Sequence, residues 1–319
     1  MRILVVGAGA IGGYFGGRLL QAGRDVTFLV RSRRAAELAS DGLIIKSPTG
    51  NVTLRDPATV LAENLRQRFD LVLLSCKAYD LAGAVASVAP AVGSGTMILP
   101  LLNGIKHLDV LDERFGRSHV LGGLCVIGAT LNKERAIVHL NTTHALSFGE
   151  RDGGISDRVR AVASAMADAG FDANASEHIV QDMWEKWVFL ATLAGINCLM
   201  RAPVGDILAS PGGKDLILSL LEECRAVAEA EGYAPRAVFL ERTRATLTTK
   251  GSPLTASMLR DLEGNAPIEA DHIAGDLLLR RRRRDADSSD ISVLRIAYNH
   301  MKAYEARRAR TLAAAGVVA

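Results

Sequence analysis

Gly7-Ala8-Gly9-Ala10-Ile11-Gly12 carries the spacing G-x-G-x-x-G, directly after the apolar run Ile3–Val6 and at the opening of a helical pattern over Ala10–Gln21. Each glycine has a task that a larger residue would obstruct. Gly7 permits a tight turn, Gly9 lets backbone approach a pyrophosphate, and Gly12 lets the helix lie close on the strand. The first N–H groups of that helix, around Ala10 and Ile11, lack intrahelical acceptors and face an anion. In this strand, turn and helix context the motif predicts dinucleotide binding, against a glycine-rich turn without ligand. Gly13, Gly16 and Gly17 extend the close packing along the same helix.

The next strand signal, Asp25–Val30, ends in Arg31-Ser32-Arg33-Arg34. Proteins specific for NAD place an Asp or Glu at this point, and a carboxylate there would repel a 2′-phosphate. Guanidinium groups offer paired donors that match phosphate oxygens, so Arg31, assisted by Arg33 or Arg34, points to NADPH rather than NADH. The plain alternative is a basic helix start. Cations are disfavoured at a helix N-terminus, however, which makes the cluster want an external anion. No P-loop competes, because Gly213-Lys214 is followed by Asp215.

These groups need a sheet to hold them. Ile3–Val6, Asp25–Val30, Phe69–Ser75, Thr96–Leu101 and His119–Ile127 read as strands, most of them followed by helices, which predicts a parallel, doubly wound sheet. Leu43–Lys46, Val52–Arg55, Ala136–Leu140 and Leu146–Glu150 read as further short strands, Ser156–Ala169 as a helix and Phe171–Ala175 as a last strand. After Ser176 helical periodicity takes over in Glu177–Met200, Lys214–Glu231, Arg236–Thr248, Pro253–Glu263, Pro267–Arg283 and Val293–Ala315. Ser252 before Pro253 reads as an N-cap with proline at the first helical position, and Glu263-Gly264-Asn265 as a helix stop. The fold expected is α/β: a Rossmann-type domain over residues 1–175, then an all-α domain over 176–319 for substrate and dimer contacts.

Composition narrows the class. The 319 residues are 49% hydrophobic and 23% charged, which fits a globular chain and excludes a disordered or fibrous one. A net charge of +3, with neither half a basic arm, argues against nucleic acid and anionic membrane as partners. The run Arg280–Arg284 could hold phosphate, but the favoured reading is a solvated face at a helix C-terminus. Cys76, Cys125, Cys198 and Cys224 lack metal-site spacing and read as buried thiols of a reducing compartment. Met1–Val6 is too short for a signal-peptide core, and the apolar stretch Trp187–Met200 is shorter than the roughly 18 residues of a membrane span. A cytoplasmic protein without metal is expected.

Four separated signatures resemble the ketopantoate reductase family (2-dehydropantoate 2-reductases) over nearly the whole chain. They are Gly7–Gly12 with Arg31; Ser75-Cys76-Lys77-Ala78; Leu102-Asn103-Gly104; and Trp184-Glu185-Lys186, joined by Ser257-Met258 with Asp261 and by Ile268-Glu269-Ala270-Asp271. The resemblance implies a 6-phosphogluconate-dehydrogenase-like pair of domains and reduction of a 2-oxo acid, by default 2-dehydropantoate to pantoate, with NADPH. It makes Lys186 the general acid that protonates the developing alkoxide. Asn103 would orient Lys186 and the nicotinamide ribose, Lys77 would lie near the cofactor, Ser257 would donate to the substrate carboxylate, and Glu269 would accept from a substrate hydroxyl. Taken without the resemblance, Lys186 is a surface cation, Asn103 an Asn-Gly turn, Lys77 a solvated lysine, Ser257 an ordinary helix serine and Glu269 a partner of a helix dipole. Trp184 and Trp187 would desolvate Lys186 and ease its proton release.

The chain departs from the family where substrate is held. Asparagines are usual four and eight residues after the lysine, and here those positions are Leu190 and Ala194. Asn197 lies roughly 16 Å along the helix from Lys186, too far to replace the nearer amide. A site short of amide donors favours a more apolar oxo acid or ketone. A non-catalytic NADPH sensor would keep the glycines and Arg31 yet need none of Lys186, Asn103 and Glu269. A homodimer is compatible with the resemblance.

Overall fold

The computed structural model describes residues 1–284 and 291–316, apart from the side chains of Arg283 and Arg284. They form two compact units, Met1–Val180 and Gln181–Ala319. The first unit begins β1 (Arg2–Val6), α1 (Ala10–Gln21), β2 (Asp25–Leu29), α2 (Ser32–Asp41), β3 (Leu43–Lys46), β4 (Val52–Leu54) and β5 (Thr59–Val60). It continues through β6 (Leu71–Leu74), α3 (Leu81–Val88), β7 (Met97–Pro100), α4 (Lys106–Phe115), β8 (Gly122–Leu131), β9 (Ile137–Gly149), α5 (Asp157–Met166) and β10 (Asp172–Ala175). Five strands make a parallel sheet in the order β5-β2-β1-β6-β7, a Rossmann-like arrangement. A parallel sheet covered on both faces needs unbroken apolar strands, and β6 and β7 are buried at every residue.

The second sheet is built on β9. It pairs antiparallel with β8, and parallel with β3 at its start and β10 at its end. The sequence placed His119–Ile127 as a fifth parallel strand, and the structure corrects this. Only a single bridge, Ile98 to Val120, joins the parallel sheet, and the chain then turns into β8. Two glycines make the departure possible: a Cβ on Gly123 would lie 2.4 Å from the Pro100 carbonyl oxygen, and one on Gly122 would lie 2.6 Å from Ile179. Ala136–Leu140 and Leu146–Glu150 are likewise not two strands but parts of one, β9, because β8 pairs along nearly its whole length, with one irregularity between Ile127 and Ala129.

The second unit is helical among its described residues. A helix from Ile179 to Met200 (α6) leads into it, followed by α7 (Val204–Ala209), α8 (Gly213–Ala230), α9 (Ala237–Leu247), α10 (Ser257–Glu263), α11 (Asp276–Arg284) and α12 (Val293–Ala314). The sequence shows no sign of α7, and it starts α10 too early. The two errors share a cause. The first N–H groups of α7, from Val204 and Gly205, donate to the carbonyls of Leu254 and Ser252, which holds residues 252–254 extended. Pro253 therefore does not open a helix, and α10 begins after its N-cap, Ala256. Its expected stop is present, with Asn265 left-handed at φ 55°.

The helix expected over Pro267–Arg283 begins at Ala270 and runs without a break into α11, wound as a π-helical turn over Asp271–Gly275. Asp271 accepts from Tyr298 and Lys302 of α12 at 2.7 and 2.9 Å, which fixes that turn. Cys125, Cys198 and Cys224 are buried and Cys76 only half-buried; none is in a disulfide. Burial pushes the Cys198 and Cys224 thiols up to about 12. Among the described residues no helix is long and apolar enough to cross a membrane.

Candidate active site

The mouth of the parallel sheet is set by strand ends. Gly7 follows β1 with φ 90°, a left-handed conformation that favours glycine, and its N–H donates to Leu29 of β2. Gly12 is buried where a Cβ would sit 2.2 Å from the Gly7 carbonyl oxygen and 2.1 Å from the Ser75 hydroxyl. Ser75 itself donates to the Val6 carbonyl at 2.8 Å, so β6 clasps the turn from the far side. Gly9 has the opposite surroundings: no atom lies within 4 Å of the Cβ it lacks.

Gly9 is also the N-cap of α1, without a side-chain cap and without an acid in the first turn. The first helical bond runs from the Gly13 N–H back to Gly9. The N–H groups of Ala10, Ile11 and Gly12 therefore precede it and lie at the positive end of the helix. An open backbone approach beside an uncapped, acid-free helix start fits a dinucleotide pyrophosphate.

Other candidates stand along the same edge. Arg31 follows β2, Lys77 follows β6, and Asn103 follows β7, where Gly104 at φ 72° completes an Asn-Gly turn. The sheet order β2-β1-β6-β7 thus ranks Arg31, the glycine turn, Lys77 and Asn103 in a row spanning three strand spacings, roughly 14 Å. Parallel sheets bind ligands outside this carboxyl edge. Arg31 is largely exposed, while its two neighbours have other duties. Arg33 pairs with Glu37, and Arg34 is buried, its Nε donating to the Ala8 carbonyl at 3.1 Å and its Nη1 to Glu37. Arg34 thus braces the glycine turn, which leaves Arg31 and Arg33 as the exposed guanidinium groups at that corner.

In the second unit Lys186 lies on α6, half-buried, and is flanked in sequence by Trp184 and Trp187, two fully buried indoles that pack on each other with centroids 4.9 Å apart. The Trp187 Nε1–H donates to the Ile273 carbonyl at 3.0 Å, and the Ile273 N–H donates to the Glu269 carbonyl at 3.0 Å. This chain of bonds ties the helix of Lys186 to the segment of Glu269, a buried carboxyl just before the π-helical turn. Ser257, half-buried, is the first residue of α10.

Three residues to which sequence reasoning gave no positioning role hold this arrangement. Glu185, 5% exposed, accepts from the backbone and side chain of Arg236, both at 2.8 Å. Burial would raise its carboxyl, but the Arg236 hydrogen bonds prevail and hold it below the ordinary value. Asn197 donates to the Ala202 carbonyl and accepts from the Ala256 N–H, both at 2.8 Å. Its amide is therefore engaged in positioning the start of α10, next to Ser257. Leu190 is half-buried and Ala194 fully buried.

Arg280 departs from the solvated face expected of the run Arg280–Arg284. It is 13% exposed, pairs with Glu231 and Asp276, and lies over both indoles, 5.6 Å from the Trp184 ring and 5.8 Å from the Trp187 ring. Two acids and two aromatic faces make a burial that a guanidinium tolerates. Arg281 pairs with Glu223 beside a groove of about 720 Å³ between α8 and α11, Arg282 is exposed, and the side chains of Arg283 and Arg284 fall outside the described residues.

Comparison with known proteins agrees with the architecture. Residues 3–153 match the family model described as ketopantoate reductase PanE/ApbA, and residues 178–305 match its C-terminal counterpart. The chain is 38% identical to the uncharacterized oxidoreductase YkpB of Bacillus subtilis, covering 97% of this chain and 100% of that one. It is 26% identical to the 2-dehydropantoate 2-reductase of a Nostoc species over 95% of each. The crystal structure of 2-dehydropantoate 2-reductase from Methylococcus capsulatus superposes with a TM-score of 0.83 at 32% identity, covering 97% of this chain and 98% of that one. A Rossmann-like unit with a glycine turn, followed by a helical unit, is the architecture of an oxidoreductase family. The chain belongs to the ketopantoate reductase family.

Proposed function

We propose that this chain reduces a 2-oxo acid to the 2-hydroxy acid with NADPH, 2-dehydropantoate being the default substrate. The observation that carries the reading is the row of Arg31, glycine turn, Lys77 and Asn103 along one sheet edge, with a guanidinium at the corner where a 2′-phosphate would lie. Bound cofactor supplies hydride to the substrate carbonyl carbon. Gly7–Gly12 and Arg31 hold its phosphates, and Lys77 and Asn103 its nicotinamide half. Lys186 delivers a proton from Nζ to the carbonyl oxygen, as the family resemblance implies, while Ser257 and Glu269 bind the acid's carboxylate and hydroxyl.

A second substrate reading has its own support. Leu190 and Ala194 bring no amides, and the Asn197 amide is committed to Ala202 and Ala256. Both favour a more apolar oxo acid or ketone within the same reaction. The test follows NADPH absorbance with 2-dehydropantoate and a panel of branched and aromatic 2-oxo acids, for the wild type and Lys186→Ala. The variant loses at least about a hundredfold in kcat. Unchanged turnover removes Lys186 from its role, and NADPH binding without oxidation by any substrate replaces the enzyme with a sensor. A panel led decisively by 2-dehydropantoate discards the apolar reading.

A further inference from the structure

The fold brings a carboxylate to the corner where the sequence offers only cations. Asp80 closes the short 3-10 turn Ala78–Asp80 that follows β6, while Arg31 follows β2, and β1 lies between those two strands. The Arg31 guanidinium nonetheless donates to Asp80 Oδ1 at 2.6 Å. The ion pair crosses the mouth above the glycine turn. Its partners are 84% and 38% exposed. Asp80 stands where that 3-10 turn runs directly into α3, with helical backbone and no cap hydrogen bond from its side chain, which is directed to Arg31.

We propose that Asp80 is a specificity-determining residue that narrows the preference for NADPH over NADH. The proposal rests on the assignment of Arg31 to the 2′-phosphate. A carboxylate of charge −1 and a phosphate of about −1.5 to −2 then share one guanidinium, and their mutual repulsion falls only on the phosphorylated cofactor. With the unphosphorylated cofactor, the same carboxylate accepts a hydrogen bond from a ribose hydroxyl, the task a second-strand acid performs in proteins specific for NAD. Solvent screens an exposed pair, so the effect is a modest factor rather than an absolute selection.

The test measures dissociation constants of NADPH, NADH and adenosine 2′,5′-bisphosphate for the full chain by calorimetry, in the wild type, Asp80→Asn, Arg31→Ala and the double variant. Asp80→Asn tightens both phosphorylated ligands by about fivefold, the scale of an exposed ion pair, and leaves NADH unchanged or weaker. In the Arg31→Ala background that gain disappears. Parallel changes for NADPH and NADH in Asp80→Asn, or the same gain without Arg31, overturn the inference. If Arg31→Ala weakens NADPH selectively while Asp80→Asn shifts no ratio, this inference alone falls. If Arg31→Ala lowers both dinucleotides equally, the phosphate assignment falls and takes the inference with it.

Discussion

The glycine turn of the first unit and the Trp184–Trp187 cluster of the second solve opposite problems. At the turn, backbone performs the proposed binding, and the sequence contributes mainly by withholding side chains at Gly7, Gly9 and Gly12. In the cluster, side chains do everything: Glu185 is sealed by Arg236, and Arg280 lies between two acids and two indoles. At Gly12 the backbone leaves no room for an added atom. A side-chain cluster tolerates added atoms better than the loss of one member of a charged pair, since the survivor keeps its burial without its partner.

The sharpest way to break this contrast is Gly12→Ala. Its methyl would meet the Gly7 carbonyl at 2.2 Å, a backbone atom that cannot swing aside. The expected loss is about 1–3 kcal/mol of stability together with at least about tenfold weaker dinucleotide binding, read by urea unfolding and calorimetry. Gly9→Ala, with open space around the new methyl, should leave the urea midpoint in place and weaken binding alone. Equal midpoints for the two variants would refute the geometry assigned to the turn.

Next in size is Arg236→Ala, which strands the buried Glu185 carboxylate. It should cost about 1–3 kcal/mol while dinucleotide affinity stays at the wild-type value. A variant as stable as wild type would mean that Glu185 finds other partners.

The smallest effect sits in the second sheet, where the Tyr14 hydroxyl lies 2.7 Å from His144 Nδ1 and the two histidines His139 and His144 stack at 5.4 Å. Burial, then the neighbouring charge of His139, holds the His144 imidazole below its ordinary value. A lowered pKa in the folded state means that the unfolded chain takes up the proton first. Stability from this group is therefore complete above about 6.5 and is lost as pH falls toward the folded value. Melting temperature should decline on acidification over that interval, less steeply in His144→Asn, and identical slopes would remove the histidine from the effect.

The same contrast explains what could be read in advance. Gly7–Gly12 were legible because a backbone site fixes spacing along one segment, and β1, β2 and α1 came with it. Arg31 was legible as a cation at a strand end. Asp80 was invisible in its role, although it lies three residues after Lys77, because its partner is reached across β1 and no local spacing encodes that contact. Asn197 offered only a buried amide, and its bonds to Ala202 and Ala256 depend on how residues 252–256 meet α7. Pro253 misled for the same reason: a local helix-start signal gave way to hydrogen bonds from Val204 and Gly205. Arg280 was read by its neighbours in sequence, and the fold placed it against rings from another helix.

Strand β9 also constrains the order in which a growing chain can mature. Ile45 of β3 pairs with Ile137, and β10 pairs with residues 145–148, so the second sheet stays incomplete until the ribosome has released residues beyond 175. Helix α1 lies against this late arrival, for the Ile137 side chain comes within 2.5 Å of where a Cβ on Gly13 would be. The glycine turn, among the first residues to emerge from the tunnel, is thus backed by residues from much later in its unit, and nascent chains halted near residue 130 would hold it without that backing.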